Sequence, residues 1–142
     1  MPIKPENKAR YPKDWPHISR DARERAGWKC QHPGCNARQY AYGVWEGSDF
    51  FFELGRGETY GEARQRAAEE SFARHGDGPA PADEKIIVIV LTVAHLDHQP
   101  ENCDPENLAA MCQRHHLAYD AEHHRANSWA TRRARSGTLE LF

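Results

Sequence analysis

The chain has 142 residues, of which 39% are apolar, 28% charged and 10% aromatic, and this length favours one domain with a real core over two. Its longest apolar run, Ile86 to Leu91, is far shorter than the ~18 residues of a membrane span. The opening MPIKPENKAR has no apolar stretch behind its charges, so a cytoplasmic protein is expected rather than an exported or inserted one. The net charge of −2 hides a division: residues 1–30 carry eight Lys/Arg against four Asp/Glu, residues 44–86 five against ten, and residues 111–142 five against three. Basic ends around an acidic middle are compatible with a polyanionic partner.

In chain order, residues 1–17 are rich in proline and charge and read as an extended basic arm. Ser19 can cap a helix from Arg20 to about Ala26, which Gly27 ends. Gln39–Trp45 and Ser48–Leu54, rich in aromatics around Gly47-Ser48, predict a hairpin. Thr59-Tyr-Gly-Glu62 has the capping-box pattern and opens a helix over Gly61–His75, followed by an exposed loop from Gly76 to Glu84. Lys85 to Ala94 is a β-branched run and predicts one strand that delivers His95 at its end. The polar segment that follows holds Asp97 and His98 at the mouth of a loop. Asp104 and Pro105 then have the N-cap and first-turn chemistry of a helix, expected to run to about Ala126. Leu108, Met111 and Leu117 would face the strand, with His116, Asp120 and His124 on another face.

Four cysteines in a chain expected to be reduced are better explained as metal ligands than as disulfides. Cys30 and Cys35 flank Pro33-Gly34, a turn that brings both sulfurs to one side, and Cys112-Gln-Arg-His115 has the gap that structural zinc sites favour. The set Cys30, Cys35, Cys112 and His115 is therefore expected to hold a structural Zn²⁺. Two other fourth ligands remain open: Cys103, giving an all-cysteine site, and His116, adjacent to His115 on the expected helix.

The order Val93-Ala-His95-Leu-Asp97-His98, Asn107-Leu108 and Met111-Cys112-Gln-Arg-His115-His116 resembles the HNH endonucleases, closely over residues 86–124, and Trp28-Lys-Cys30 to Cys35 resembles the first knuckle of their zinc-bearing members. The resemblance implies an α+β fold: a ββα-metal, or His-Me finger, core stapled by zinc, with an extra N-terminal helix and an inserted hairpin and helix. The expected organisation is a single nuclease domain over 1–142, with a basic arm (1–17), a helix and first knuckle (18–42), an insertion (43–84), the ββα core (85–126) and a basic tail (127–142).

By the same resemblance His95 is the general base, Asn107 holds the loop or the base in position, and His116 is a ligand of a catalytic divalent ion, Mg²⁺ or Mn²⁺. Many members carry a further metal ligand just before the base, where this chain has Ala94. Asp97 is the expected replacement, with His98, Asp120 and His124 behind it, because positions i and i+2 of a strand share a face and hard ions prefer carboxylate oxygen. An alternative takes Asp97-His98 as the pair, with His98 as the base. The implied partner is double-stranded DNA, contacted by Lys13, Arg125, Arg132, Arg133 and Arg135 through phosphate, which confers affinity without sequence choice. The chain would act as a monomer or dimer, in settings such as phage packaging or restriction. A non-catalytic zinc ribbon that binds nucleic acid or protein is the competing class, and it has no use for a histidine at the strand end. A small redox protein is excluded more simply, by the lack of a Cys-x2-Cys pair in a thioredoxin-like setting.

Overall fold

The computed structural model describes residues 5–121, 123 and 125. A 3₁₀ turn over Pro5–Arg10 leads into helix α1, Trp15–Arg25. The helix thus begins five residues before the expected start, and the described part of the arm, from Pro5 on, is largely helical and not extended. Pro16 lies in the first turn, where its missing N–H costs nothing, and Trp15, Ile18 and Ala22 pack with Val93 and Leu108. That apolar spacing, not a Ser19 cap, sets where the helix begins. Its end is a Schellman motif: Gly27, at φ 69°, donates to the Glu24 carbonyl and Trp28 to that of Arg23.

Strands β1, Ala41–Glu46, and β2, Phe50–Arg56, form the expected antiparallel hairpin, with Gly47 at φ 71° in its turn. A bulge falls between Tyr42 and Gly43, and a Cβ on Gly43 would lie 2.0 Å from the Phe52 carbonyl oxygen. Helix α2, Tyr60–His75, is capped by the Thr59 hydroxyl, which accepts from the Glu62 N–H. The Glu62 carboxylate reaches back to the N–H of Glu58, next to the residue that a strict capping box would use.

The single strand expected over 85–94 is two. Strand β3, Ile87–Val88, adds to β1, giving a three-stranded sheet in the order β2-β1-β3, and β4, Leu91–His95, belongs to a separate sheet. Side chains replace ladder partners at the junction. The Gln39 amide oxygen accepts from Leu91 N–H, while Gln113 accepts from Val90 N–H and donates to the Val88 carbonyl.

The long helix expected from Pro105 is also divided. Asp104 does cap, accepting from Glu106 N–H, but only for one 3₁₀ turn over Pro105–Asn107. Leu108–Cys112 is then strand β5, paired antiparallel with β4 from Leu91↔Cys112 to His95↔Leu108. Leu108 and Met111 meet the strand as expected, as ladder partners and not from a helix. Helix α3 follows over residues 113–121, and Leu117 on it is exposed. The fold is mixed α+β, built from small antiparallel sheets and separate helices. No helix among the described residues is long and apolar enough to cross a membrane.

The main core contains Cys30, Cys35, Ala37, Ala41, Phe51, Ile89, Leu91, Ala94, Met111 and Cys112. Few of these side chains are large, so apolar burial alone offers this domain modest stabilisation, and three of the ten are metal-competent thiols.

Candidate metal centre and the His95 corner

The knuckle is built by backbone bonds. Cys30 N–H donates to the Ala37 carbonyl, Cys35 N–H to that of His32, and Ala37 N–H to the Cys35 sulfur, with Gly34 at φ 82° making the turn. Gln31 ties the knuckle to β5: its N–H donates to the Ala110 carbonyl and its amide oxygen accepts from Ala110 N–H, both at 2.8 Å. Cys112 ends β5 and His115 sits in the first turn of α3.

The four donor atoms of Cys30, Cys35, Cys112 and His115 lie within 4.8 Å of one another, and all four residues are buried. His115 Nδ1 is 3.2 Å from Cys112 Sγ and 3.7 Å from Cys30 Sγ, close to the edges of a tetrahedron with Zn–S near 2.3 Å and Zn–N near 2.0 Å. The thiols fit a cation in chemistry as well. A hydrogen bond from the Cys112 side chain holds the Cys30 thiol down at about 4, burial pushes Cys35 up to about 11, and Cys112, as the donor to Cys30, is raised as well. The cluster by itself stabilises one thiolate at the expense of the others, and a bound cation is what lets all three ionise. These residues can hold a metal ion, and the set is compatible with structural zinc. Cys103 stands apart, 3.8 Å from His95 Nε2 and donating to the Pro100 carbonyl, and His116 is engaged elsewhere.

One participant has no sequence signal. Asp49, in the β1–β2 turn, places Oδ1 2.8 Å from His115 Nε2, and the His32 ring stacks on His115 at 4.0 Å. A carboxylate on the outer nitrogen fixes the tautomer that leaves Nδ1 for the metal. Nothing in a Gly47-Ser48 turn announces a partner for a histidine 66 residues away.

His95 ends β4 and is buried. Trp15 stacks on it at 4.9 Å and Tyr11 meets it edge-on at 5.7 Å, so these aromatics of the basic arm are packed against the chain. Burial lowers the His95 pKa, and His116 lowers it further, against the opposing pull of Asp97, Glu101 and Asp120. Asn107 closes the 97–102 loop. Its Nδ2 donates to Asp97 Oδ1 at 2.9 Å and to the Asn102 carbonyl at 2.8 Å, and its Oδ1 accepts from Asp97 N–H at 3.1 Å.

Asp97 is placed otherwise than expected. The strand ends at His95, so the i, i+2 argument does not apply: Asp97 is exposed where His95 is buried. Both carboxylate oxygens accept hydrogen bonds, from the Asn102 amide, from Gln99 N–H and from the Asn107 amide, which hold its pKa at about 2. His116 is instead joined by Asp120 one turn on, Nε2 to Oδ2 at 3.0 Å, while Asp120 Oδ1 lies 3.2 Å from His98 Nδ1. The Thr92 hydroxyl bonds to His116 Nδ1. Of the expected DNA contacts, Lys13 and Arg125 are exposed. Arg132, Arg133 and Arg135, like His124, fall outside the described residues.

No protein-family model, curated protein or solved structure matches the chain.

Proposed function

We propose that the chain is a metal-dependent DNA endonuclease of the HNH kind, which hydrolyses phosphodiester bonds with a histidine base on a zinc-stapled scaffold. The observation that carries this reading is the β4, β5, α3 succession, with a neutral-favoured histidine ending the first strand, an asparagine closing the loop and a His116–Asp120 pair on the helix. His95 takes the proton from the attacking water; its lowered pKa keeps it in the accepting form at neutral pH. Asn107 acts as a positioning residue through the 97–102 loop. His116 and Asp120 are the residues that would hold the divalent ion, Asp120 supplying the carboxylate that Ala94 cannot. When bound, Mg²⁺ or Mn²⁺ supplies charge stabilisation at the phosphoryl and leaving oxygens. Water adds to phosphorus and the bond to the 3′-oxygen breaks, leaving 5′-phosphate and 3′-hydroxyl ends. DNA phosphates meet Lys13, Arg125 and the basic tail.

One observation favours a second choice of base. His95 lies beneath Trp15, whereas the His98 ring is partly exposed and paired with Asp120. The test is supercoiled plasmid with Mg²⁺ or Mn²⁺, using the wild type, His95→Ala, His98→Ala and His116→Ala, with zinc measured on each. The reading expects cutting by the wild type and, in His95→Ala, loss of cutting with about one zinc retained per chain. Loss in His98→Ala alone would move the base to His98. If no protein cuts while all hold zinc, the nuclease reading fails and the zinc-ribbon binding module takes its place.

A further inference from the structure

A cleft of about 570 Å³, apart from the candidate metal centre and the His95 corner, lies where α1 meets the start of β1 and the end of β2, lined by Arg20, Arg23, Trp28, Tyr40 and Arg56 among others. Its volume is that of a small-molecule site. Three features set it apart from a chance surface hollow.

The first is charge. Three arginines line it, and among the described residues none of them forms an ion pair with a carboxylate. Glu58, at the same cleft, is the single acid among its lining residues.

The second is rigidity. Arg56 Nε donates to the Gln39 carbonyl at 2.9 Å, and Arg23 Nε to that of Ser19 at 3.3 Å. Both side chains are anchored by the inner nitrogen, an arrangement that orients the terminal nitrogens before any ligand arrives.

The third is the wall. Among the described residues three non-glycine residues have positive φ, and two of them, Trp28 at 58° and Tyr40 at 62°, line this cleft. A bulky aromatic seldom adopts that conformation, and such residues gather at functional sites. Both backbones are held: Gln39 N–H, from the residue before Tyr40, donates to the Trp28 carbonyl, and Tyr40 N–H donates to that of Ile89. The Arg23 guanidinium carbon lies 5.6 Å from the Trp28 ring centroid, so cation and aromatic face already adjoin.

Guanidiniums without counter-ions recognise phosphate, and aromatic walls recognise a flat ring. We infer that this cleft binds a nucleoside phosphate, with the base against Trp28 and Tyr40 and the phosphate on Arg20 and Arg56. Its source is either a free nucleotide or an unpaired nucleotide of a DNA strand.

The inference stands independently of cleavage, because the binding is measured without added divalent ion. Titration of the zinc-loaded protein with dTMP should give saturable binding, with thymidine and inorganic phosphate each at least about tenfold weaker. Arg56→Gln and Arg20→Gln should each weaken dTMP about tenfold and the double variant should abolish it, while Arg56→Lys retains part of the affinity. Zinc content and melting temperature of each variant check the fold. An unpaired dT oligonucleotide that binds more tightly than dTMP, and loses affinity in the same variants, assigns the site to a DNA strand; equal affinities assign it to a free nucleotide. No dTMP binding at millimolar concentration, phosphate binding as well as dTMP, or a folded double variant that binds as the wild type does, would each overturn the inference. A chain that fails to cut DNA but shows this binding pattern would sink the nuclease reading and leave the nucleotide site standing.

Discussion

Replacing Asp49 tests whether the β1–β2 hairpin is part of the candidate metal centre. The Asp49 carboxylate is 2.8 Å from His115 Nε2, and the histidine is buried while the Asp49 side chain is 49% exposed. A charge-assisted hydrogen bond contributes about 1.5–3 kcal/mol when shielded, and half-exposure of the acceptor reduces this to about 1–1.5 kcal/mol. If that energy serves to hold the imidazole with Nδ1 toward the thiols, Asp49→Asn should weaken zinc about five- to tenfold, at or just below the low end of losses seen for outer carboxylates. Asp49→Ala should do somewhat more, because no acceptor remains, and Asp49→Glu should recover part of the loss. Competition for zinc against a chromophoric chelator reads the affinity directly, and the visible spectrum of the cobalt-substituted protein reports whether the histidine is still a ligand. The reasoning is wrong if Asp49→Ala holds zinc as the wild type does while Cys112→Ser, in the same assay, loses it.

Asn107→Ala removes three hydrogen bonds around the 97–102 loop, and should cost about 2–3 kcal/mol there. Amide exchange should accelerate in that loop, with zinc unaffected and plasmid cleavage reduced. The His95 pKa is lowered by burial, so the neutral ring is the form the fold prefers. The stability it confers is complete above the unfolded value near 6.5 and lost as pH falls through the lowered folded value. Urea midpoints between pH 8 and 5 should therefore drop more for wild type than for His95→Gln. Gly43→Ala forces a methyl against the Phe52 carbonyl at the β1 bulge, and a loss of about 1–3 kcal/mol should appear as a lower melting temperature.

The grouping of Cys30, Cys35, Cys112 and His115 into one cluster that can hold a metal ion was legible in the sequence because each half-site is local. Four residues separate Cys30 from Cys35 and two separate Cys112 from His115, and a turn or the start of a helix suffices to bring each pair together. Two long elements were misread for one shared reason. Ile86 to Leu91 is apolar throughout, so no change of period marks Ile89, where the chain leaves β1 for the second sheet. The markers are Gln39 and Gln113, whose amides satisfy the backbone at the crossing from 52 and 23 residues away.

At 104–112 the local signals are true but short-ranged. Asp104 caps and Pro105 opens a turn, yet Leu108-Ala-Ala-Met-Cys gains more by completing a ladder with β4 than by continuing a helix that its alanines would favour. Around His95 the order of residues was legible and their grouping was not. Asp97 and Asp120 are both acidic and near histidines in sequence, but only the strand's end at His95 and the pitch of α3 decide which of them stands beside His116.

The β1–β2 hairpin is bound into the centre of the molecule, and the reason is the poverty of the core. Cys30, Cys35, Ala37 and Ala41 bury little area, so the volume around the thiols is filled by Phe51 from β2, with Trp45 from β1 packed against the cluster. Asn36, next to Cys35, donates to the Phe51 carbonyl and accepts from its N–H, both at 2.7 Å, in the manner of an added strand residue. Trp45 meets the His115 ring edge-on at 5.6 Å, and Arg114 covers the indole at 4.8 Å. The hairpin thus contributes the largest side chain of the core, the satisfaction of the knuckle's neighbour and the carboxylate on His115. If the four ligand-competent residues hold an ion, metal loading, folding of the hairpin and the join between β5 and α3 are expected to form one cooperative unit, in which the ion supplies the stabilisation that so small a core does not.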